Sequence, residues 1–342
     1  MTTDVAGLMA CDWAAPAHPS SRTGHAGAMR AAVVPRHGPA QVIEIRDDWP
    51  EPGPPNQGEV LLAVEAAGLN PSDTKIRARA GPGAPGAKEP PYVAGREAAG
   101  TIVECGPGVT GLEPGDAVFA FFGWFARPGG HAEYLVVPAS MVAPRPVALP
   151  VVEAAAVPLA GLTALQALQT LEVPPGGRLL VTAGAGGVGH FAVQLAALRG
   201  LEVVATAGPA NRDFVLRLGA SEVIDYHAPE AADQPAGFSY LLDAVGGDNI
   251  GAYQGILAEG ARVVAVAGLP TVIRDDIVAT AIRCRPSAED LGELAALLAD
   301  GTLSATVQQV FPLARAADAH VLLEGGHMRG KLVLQIRADR SV

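Results

Sequence analysis

Cysteine is scarce in this chain. Its three cysteines, Cys11, Cys105 and Cys284, are odd in number and lie far apart in the sequence. A disulfide framework needs cysteine pairs, and a four-cysteine structural zinc site needs one more thiol than the chain has, so both are excluded. The scarcity of thiols favours a reducing compartment, and we predict a cytoplasmic location.

Positive charge and long apolar runs are also lacking. The chain has 24 Lys and Arg against 35 Asp and Glu, a formal net charge of −11, and no cluster of basic residues. Because nucleic-acid binders need a basic face, we expect no nucleic-acid partner. No apolar run approaches the roughly 18 residues of a membrane-spanning helix, so we expect no membrane partner.

The sequence does contain apolar material for a large core. Hydrophobic residues make up 49% of its 342 residues, and this length predicts two domains at roughly 150 residues each. Residues 1–28 mix small and polar residues without periodicity and lack the basic start and apolar core of a secretory signal. We predict that they form a flexible extension.

Two patterns of apolar residues divide the remainder. From 29 to 150 the runs are short, as at Val60–Val64, and Gly and Pro clusters separate them, which is typical of an all-β, barrel-like unit. From 151 to 290 a helical stretch at 152–171 is followed by strands that alternate with helices. This order predicts an α/β unit with a doubly wound parallel sheet. The final segment, 291–342, ends in a strand-like run at 331–336.

The strongest local signal is the glycine-rich segment 181–189, which follows a predicted strand and begins a predicted helix. Ala183, Gly186 and Gly189 have the A-x-x-G-x-x-G spacing, a variant of the dinucleotide-binding fingerprint. Small residues allow a tight turn whose backbone N–H groups approach a pyrophosphate, and the helix N-terminus adds partial positive charge. We therefore predict that a nicotinamide dinucleotide binds here.

The residues after the second strand of this unit favour NADPH over NADH. NAD-specific sites usually place an acid there to bind the ribose hydroxyls, but no acid stands between Thr206 and Arg212. A carboxylate would repel a 2′-phosphate, whereas a guanidinium can pair with it. Asn211 and Arg212 are the candidate ligands, although Arg212 could also be an ordinary solvated residue at a helix start.

Several motifs together resemble those of the medium-chain dehydrogenase/reductase superfamily over nearly all of 29–337. They occur in the family's order at Gly68–Ile76, Val93–Gly100, Gly130–Tyr134, Gly161–Ala164, the glycine turn, Val223–Tyr226 and Gly326–Leu334. The resemblance implies a GroES-like β-barrel catalytic domain at 29–150 and a Rossmann domain at 151–290. It also implies that 291–342 returns to the barrel and that the active site lies between the domains.

The zinc-binding positions of that superfamily differ in this chain. Asn70 stands where zinc alcohol dehydrogenases have a cysteine ligand, and Arg96 stands where they have histidine. Arginine stays protonated and cannot bind zinc. We therefore expect no metal, and the pattern is similar to the zinc-independent quinone oxidoreductase branch, in which an asparagine occupies the position of Asn70.

The resemblance also assigns site residues. Asn70 and Thr163 would line the nicotinamide and substrate region, while Tyr226 and Lys331 would lie near the adenosine phosphate. The full cofactor set would be Ala183, Gly186, Gly187, Val188, Gly189, Asn211, Arg212, Tyr226, Asp243, Val245, Gly246, Ala267, Gly268 and Lys331. Each has an alternative: Asn70 could cap a turn, and Tyr226 and Lys331 could be edge residues.

The resulting prediction is hydride transfer from NADPH to a quinone or an activated C=C bond, on a small, apolar, planar substrate. The aromatic residues within 121–125 could stack on such a substrate, or they could pack in the core. Two alternatives stay open at this point: an enoyl-thioester reductase of lipid or polyketide metabolism, and an NADPH-binding structural or redox-sensing protein with little turnover. We also expect a homodimer, formed through an apolar strand at Ile277–Cys284.

Overall fold

The computed structural model describes residues 27–78, 89–123, 125–227, 235–269 and 272–337. The predicted extension at 1–28 lies outside these ranges except for its last two residues, and Trp124 of the aromatic segment lies outside them as well. Within the described helices, none has the length and hydropathy needed to cross a membrane.

The first unit is built from antiparallel strands. Its elements are β1 (Ala28–Val34), β2 (Glu44–Pro50), β3 (Glu59–Leu69), α1 (Pro71–Ala78), β4 (Tyr92–Val93), β5 (Glu97–Cys105), β6 (Ala117–Phe121), β7 (Tyr134–Pro138) and β8 (Val142–Pro144). The long strand β3 is central and pairs antiparallel with β5 and β7. Val60, Leu62 and Val64 alternate along one buried face of β3, as the period of a half-buried strand requires.

The second unit is a parallel sheet with helices. Its elements are α2 (Val151–Ala155), α3 (Pro158–Leu171), β9 (Arg178–Val181), α4 (Gly189–Leu198), β10 (Glu202–Thr206), α5 (Arg212–Arg217), β11 (Glu222–Ile224), β12 (Phe238–Asp243), β13 (Leu257–Ala265), β14 (Val278–Ala281) and α6 (Ala288–Ala299), with a 3-10 helix at Gly247–Ile256. The strand order is β11-β10-β9-β12-β13-β14, and every pairing is parallel. This order is that of a Rossmann sheet, and it confirms the predicted fold class.

The strand order also locates a binding crevice. Following the chain, β10 and β11 are added on one side of β9, and β12 is then added on the other side of β9. Ligands of open α/β sheets bind at such a reversal, outside the carboxyl ends of the strands. The turns after β9, β10 and β12 meet at that edge.

The chain then returns to the first unit through β15 (Val307–Pro312), α7 (Ala316–Glu324) and β16 (Lys331–Gln335). Strand β16 pairs antiparallel with β3, with Leu332 opposite Leu69, and completes a sheet of order β15-β16-β3-β5-β6-β8, with β7 also on β3. This pairing brings the first residue of β16 next to the last residues of β3, at the boundary between the two units.

Candidate active site

The glycine turn between β9 and α4 is tied to the neighbouring strand β10. The backbone N–H of Ala183 donates to Thr206 Oγ1 at 3.0 Å, and that of Gly184 donates to the carbonyl of Thr206 at 2.8 Å. Ala183 has a φ of +50°, a conformation in which an alanine is strained. The two hydrogen bonds that Thr206 accepts hold the chain in this turn.

The close approach of chain segments explains why glycine is needed in the turn. A Cβ at Gly189 would lie 2.0 Å from the carbonyl oxygen of Ala183, and one at Gly184 would lie 2.8 Å from Cβ of Ala205. A Cβ at Gly187 would lie 3.2 Å from Cδ of Lys331. The turn is therefore a cradle with no room for side chains, as a pyrophosphate held by backbone N–H groups requires.

A buried histidine that the sequence analysis missed supports this cradle. His190 Nδ1 lies 2.8 Å from the carbonyl of Gly186, and the N–H of Thr306 donates to His190 Nε2 at 3.3 Å. Because Nδ1 faces a carbonyl and Nε2 accepts a hydrogen bond, the ring is neutral and carries its proton on Nδ1. Burial lowers the pKa of His190 to about 4, which keeps the ring neutral at physiological pH.

A cavity of about 380 Å³ opens beside the turn. It collects several predicted cofactor residues from the ends of different strands, together with residues that the sequence analysis did not select. Its lining includes the predicted Ala183, Gly186, Asn211, Tyr226 and Val245, and the additional Thr206, Asn249, Tyr253, His327 and Met328. The cavity and the adjoining cradle therefore bring predicted cofactor residues from several strand ends together at one edge of the sheet.

Asp243, at the end of β12, shapes the loop that borders this cavity. Its buried carboxylate accepts hydrogen bonds from Thr182 Oγ1 at 2.7 Å, Asn249 Nδ2 at 2.8 Å and the N–H of Gly246 at 2.8 Å. Gly246 has a φ of +81°, and a Cβ there would lie 2.6 Å from Cβ of Ala267. Asp243 therefore acts through the loop backbone, and Gly246 allows the loop to pass Ala267, which is followed by the exposed Gly268.

Two arginines lie beside the loop after β10. Arg212 donates from Nη1 to the carbonyl of Val223 at 2.7 Å. Arg329, which the sequence analysis did not select, donates from Nε to Asn211 Oδ1 at 2.7 Å and from Nη2 to the carbonyl of Ala210 at 2.8 Å. The C-terminal segment thus brings a guanidinium to the loop after β10.

Tyr226 lies beside the same loop. Its hydroxyl is 3.2 Å from His327 Nδ1, and it faces Gly208, where an added Cβ would lie 3.2 Å from that oxygen. His327 and Arg329 come from the turn before β16, so one C-terminal turn supplies both. The long-range pairing of β16 with β3 brings this turn to the Rossmann unit, where the N–H of Gly330 donates to the carbonyl of Ala185 at 2.8 Å.

A buried polar cluster lies at the boundary between the two units. Asn70 Nδ2 donates to Glu97 Oε1 at 2.6 Å, and Lys331 Nζ donates to Asn70 Oδ1 at 2.5 Å and to Glu97 Oε1 at 2.9 Å. The other oxygen of Glu97 accepts from the N–H of Leu159 in the first turn of α3 at 2.6 Å. Asn70, Glu97 and Lys331 are 5%, 0% and 4% exposed. The cluster joins β3, β5, β16 and α3.

The amine of Lys331, which the resemblance places near the adenosine phosphate, bonds in the structure to Asn70, Glu97 and the carbonyl of Leu69. A buried ammonium needs hydrogen-bond acceptors and a compensating charge. The Leu69 carbonyl and Asn70, at the end of β3, supply two acceptors, and Glu97, at the start of β5, supplies the third acceptor and the negative charge. Gly68 makes room for the carboxylate, since a Cβ at that position would lie 2.3 Å from Glu97 Oε1.

Neighbouring groups also hold the side chains of Asp73, Arg96 and Thr163 in this region. Asp73 Oδ2 accepts from the N–H of Asn70 at 2.9 Å, and Asp73 Oδ1 lies 3.4 Å from Nε of Arg96. Thr163 Oγ1 donates to the carbonyl of Leu159 at 2.6 Å, one turn back in α3. Thr163 therefore lies one helical turn after Leu159, whose N–H binds Glu97.

The aromatic segment divides between core and surface. Phe121 and Phe122 are 3% and 0% exposed and pack in two hydrophobic clusters, whereas Phe125 is 45% exposed. The core interpretation applies to Phe121 and Phe122, and Phe125 lies at the surface.

Comparison with known proteins places these features in a family. Residues 56–147 match a model described as the alcohol dehydrogenase GroES-like domain, and residues 218–334 match one described as zinc-binding dehydrogenase. A chloroplast envelope quinone oxidoreductase homologue of Arabidopsis thaliana is 35% identical over 301 residues, which are 82% of this chain and 91% of that protein. The chain belongs to the quinone oxidoreductase-like branch of the medium-chain dehydrogenase/reductase superfamily.

Other relatives agree with this membership. A chloroplastic NADPH-dependent alkenal/one oxidoreductase of A. thaliana is 32% identical over 90% of this chain and 79% of that protein. The quinone oxidoreductase of Coxiella burnetii superposes with a TM-score of 0.84 at 34% identity, covering 91% of this chain and 100% of that one. A mycobacterial protein complexed with NADPH superposes with a TM-score of 0.77 at 29% identity, over 90% and 100% of the two chains. The chain is an oxidoreductase that uses a nicotinamide cofactor.

The metal in the description of the second family model does not suit the residues of this site. Asn70 and Arg96 occupy the expected ligand positions, and the ammonium of Lys331 lies within bonding distance of Glu97. Across the part of the chain that the structure describes, no three His, Cys, Asp or Glu side chains are grouped so that they could hold a metal ion. A zinc ion here would lack the cysteine and histidine ligands that it prefers, and its charge would oppose the ammonium of Lys331, which already pairs with Glu97.

Proposed function

We propose that this chain catalyses NADPH-dependent reduction of a quinone, or of a C=C bond conjugated to a carbonyl, without zinc. The observation that carries the proposal is the buried Asn70–Glu97–Lys331 cluster beside the glycine cradle. It supplies an amide N–H donor at the position where zinc relatives have a metal ligand. The names of the relatives, quinone oxidoreductase and alkenal/one oxidoreductase, describe the same acceptor classes.

In this proposal, each part of the site has a separate task. The cradle at Gly186–Gly189 and the N-terminus of α4 hold the pyrophosphate, and the loop shaped by Asp243 borders the ribose and nicotinamide. The bound cofactor supplies the hydride. Asn70 donates a hydrogen bond to the acceptor's carbonyl oxygen, on which negative charge develops as the hydride arrives. Because an amide polarises that oxygen less than a metal does, the acceptor must already be electron-poor, as quinones and enones are.

The preference for NADPH rests on the end of the cavity that faces the loop after β10. No acid is present between Thr206 and Arg212 to repel a 2′-phosphate. Arg329 is already held at this loop through Asn211 and the carbonyl of Ala210, and a phosphate beside it would gain a charge-assisted hydrogen bond. Tyr226 and His327 add a hydroxyl and an imidazole on the same side.

The test is steady-state oxidation of NADPH with a panel of acceptors. The panel contains a benzoquinone, a naphthoquinone, an enone, an enoyl thioester and a simple aldehyde, each also measured with NADH. We expect turnover with the quinones and the enone, little with the aldehyde, and a lower Michaelis constant for NADPH than for NADH. Turnover confined to the thioester would favour the enoyl reductase alternative. Tight NADPH binding without turnover of any acceptor would favour a cofactor-binding protein.

A further inference from the structure

Lys331 reaches the catalytic cluster by crossing the cofactor cradle. Its stem passes Gly187, where an added Cβ would lie 3.2 Å from Lys331 Cδ. Beyond the cradle its ammonium makes three hydrogen bonds, to the Leu69 carbonyl at 2.8 Å, to Asn70 Oδ1 and to Glu97 Oε1. An ammonium has three N–H donors, so these contacts use all of them and leave none for a phosphate or a substrate.

The same contacts fix the orientation of the Asn70 side chain. The oxygen and nitrogen of an amide have similar shapes, so the surrounding hydrogen bonds decide which way it points. Here Oδ1 faces the ammonium of Lys331, and Nδ2 faces the carboxylate of Glu97. The reversed amide would place N–H groups against an ammonium and an oxygen against a carboxylate, and both contacts are repulsive.

One donor of the amide is left for a ligand by this arrangement. The nitrogen Nδ2 carries two N–H groups, and the bond to Glu97 accounts for one of them. The ammonium at Oδ1 also withdraws electron density from the amide, which strengthens its N–H groups as donors. Lys331 and Glu97 together thus prepare Asn70 to donate.

We propose that Lys331 is a positioning residue for the reduction: with Glu97 it holds the Asn70 amide in one orientation and leaves its second N–H for the acceptor's oxygen. This inference rests on the proposed function, in which Asn70 contacts that oxygen. Lys331 acts through Asn70 and touches neither the cofactor phosphates nor the acceptor with its ammonium.

A double-mutant cycle tests this assignment. Lys331→Met keeps most of the stem and removes the ammonium, and Asn70→Ala removes the amide. We expect Lys331→Met to lower kcat with an enone by about tenfold to a hundredfold, while the Kd of NADPH, measured by nicotinamide fluorescence, stays within about threefold of wild type. In the Asn70→Ala background, Lys331→Met should lower kcat by less than about twofold, since its target is gone.

Further variants separate positioning from a structural role. Lys331→Arg keeps the charge and should retain more kcat than Lys331→Met. Lys331→Met leaves Glu97 as a lone buried charge, which could prevent folding. In that case the double variant Lys331→Met/Glu97→Gln, which removes both charges, takes the place of Lys331→Met in the cycle. If the fold-losses of kcat in the two single variants multiply in the double variant, the two residues act independently and the proposal is overturned. Weaker NADPH binding with an unchanged kcat in Lys331→Met would also overturn it, because Lys331 would then be a cofactor ligand.

A spectroscopic measurement tests the amide without any turnover. The chain has four asparagines, so selective ¹⁵N-asparagine labelling gives four pairs of side-chain amide signals, and Asn70→Ala identifies the pair from Asn70. We expect its two amide protons to differ widely in chemical shift in wild type, and this difference to shrink in Lys331→Met. An unchanged pair of signals would overturn the locked amide. If the signals change as expected but wild type reduces no acceptor, the proposed function fails and the locked amide stands.

Discussion

Acid should lower the free energy of unfolding of this protein because His190 is buried as a neutral ring. The substitution His190→Asn tests this prediction. The ring is buried against the carbonyl of Gly186 and the N–H of Thr306, and burial lowers its pKa from 6.5 to about 4. Asparagine does not titrate, and its amide can donate to the Gly186 carbonyl in place of Nδ1. The variant loses the bond from Thr306 and the ring contact with Phe191, at 4.0 Å between centroids, so it should be less stable at neutral pH.

The size and sign of the effect follow from linkage. In the unfolded chain the imidazole takes up its proton near its ordinary pKa, whereas in the folded chain it does so near pH 4. As the pH falls from about 6.5 to 4, the unfolded state binds more protons and the folded state loses stability. This pKa difference corresponds to about 3 kcal/mol in the free energy of unfolding, present in full above pH 6.5 and lost near pH 4.

The assay is urea unfolding of wild type and His190→Asn at several pH values between 4.5 and 7.5, followed by fluorescence. Burial also lowers the pKa of His131 and His320, so both proteins should lose stability in acid. The difference between the two curves isolates His190, and wild type should lose about 2 to 3 kcal/mol more than the variant. Parallel curves would refute the assignment of a neutral, buried His190 that supports the cradle.

The remaining predictions concern catalysis, cofactor preference, assembly and the cradle. Asn70→Ala should lower kcat about a hundredfold to a thousandfold in stopped-flow or steady-state assays, with NADPH affinity within a few-fold of wild type; unchanged kcat would make Asn70 only a turn residue. Arg329→Ala should weaken NADPH about tenfold to a hundredfold and leave NADH unaffected, with a smaller effect for Arg212→Ala, whose guanidinium binds the Val223 carbonyl. Light scattering at micromolar concentration should show a homodimer, because β14 is an edge strand of the described sheet and its Val278 is 60% exposed; a monomer would contradict this. Gly189→Ala should abolish NADPH binding in fluorescence titrations, because its Cβ would meet the carbonyl of Ala183 at 2.0 Å.

The sequence predicts those parts of the structure that local patterns determine. The strand and the helix predicted on either side of the glycine-rich segment are present as β9, which ends at Val181, and α4, which begins at Gly189. The glycine turn is equally local, since its strand, turn and helix are adjacent in the chain. The helical stretch predicted at 152–171 is divided in the structure, because Pro158 lacks an N–H and begins a new helix.

Contacts between distant segments account for what the sequence could not predict. Lys331 is separated from Leu69 by 262 residues, and only the pairing of β16 with β3 brings its amine to Asn70. Arg329 reaches the loop after β10 by the same route, so it was missed while the adjacent Arg212 was selected. Glu97 was visible beside Arg96, but nothing in its local pattern indicated that its carboxylate would be buried against an ammonium and the first turn of α3.

Zinc content measured together with activity tests the central claim most directly. The zinc content of the purified protein is measured by mass spectrometry before and after treatment with a strong chelator. NADPH oxidation with a quinone is measured at the same two points. The proposed site predicts zinc far below one ion per chain and an unchanged rate, because the ammonium of Lys331 and the amide of Asn70 occupy the place of the metal. Stoichiometric zinc whose removal abolishes the rate, and whose return restores it, would contradict this account.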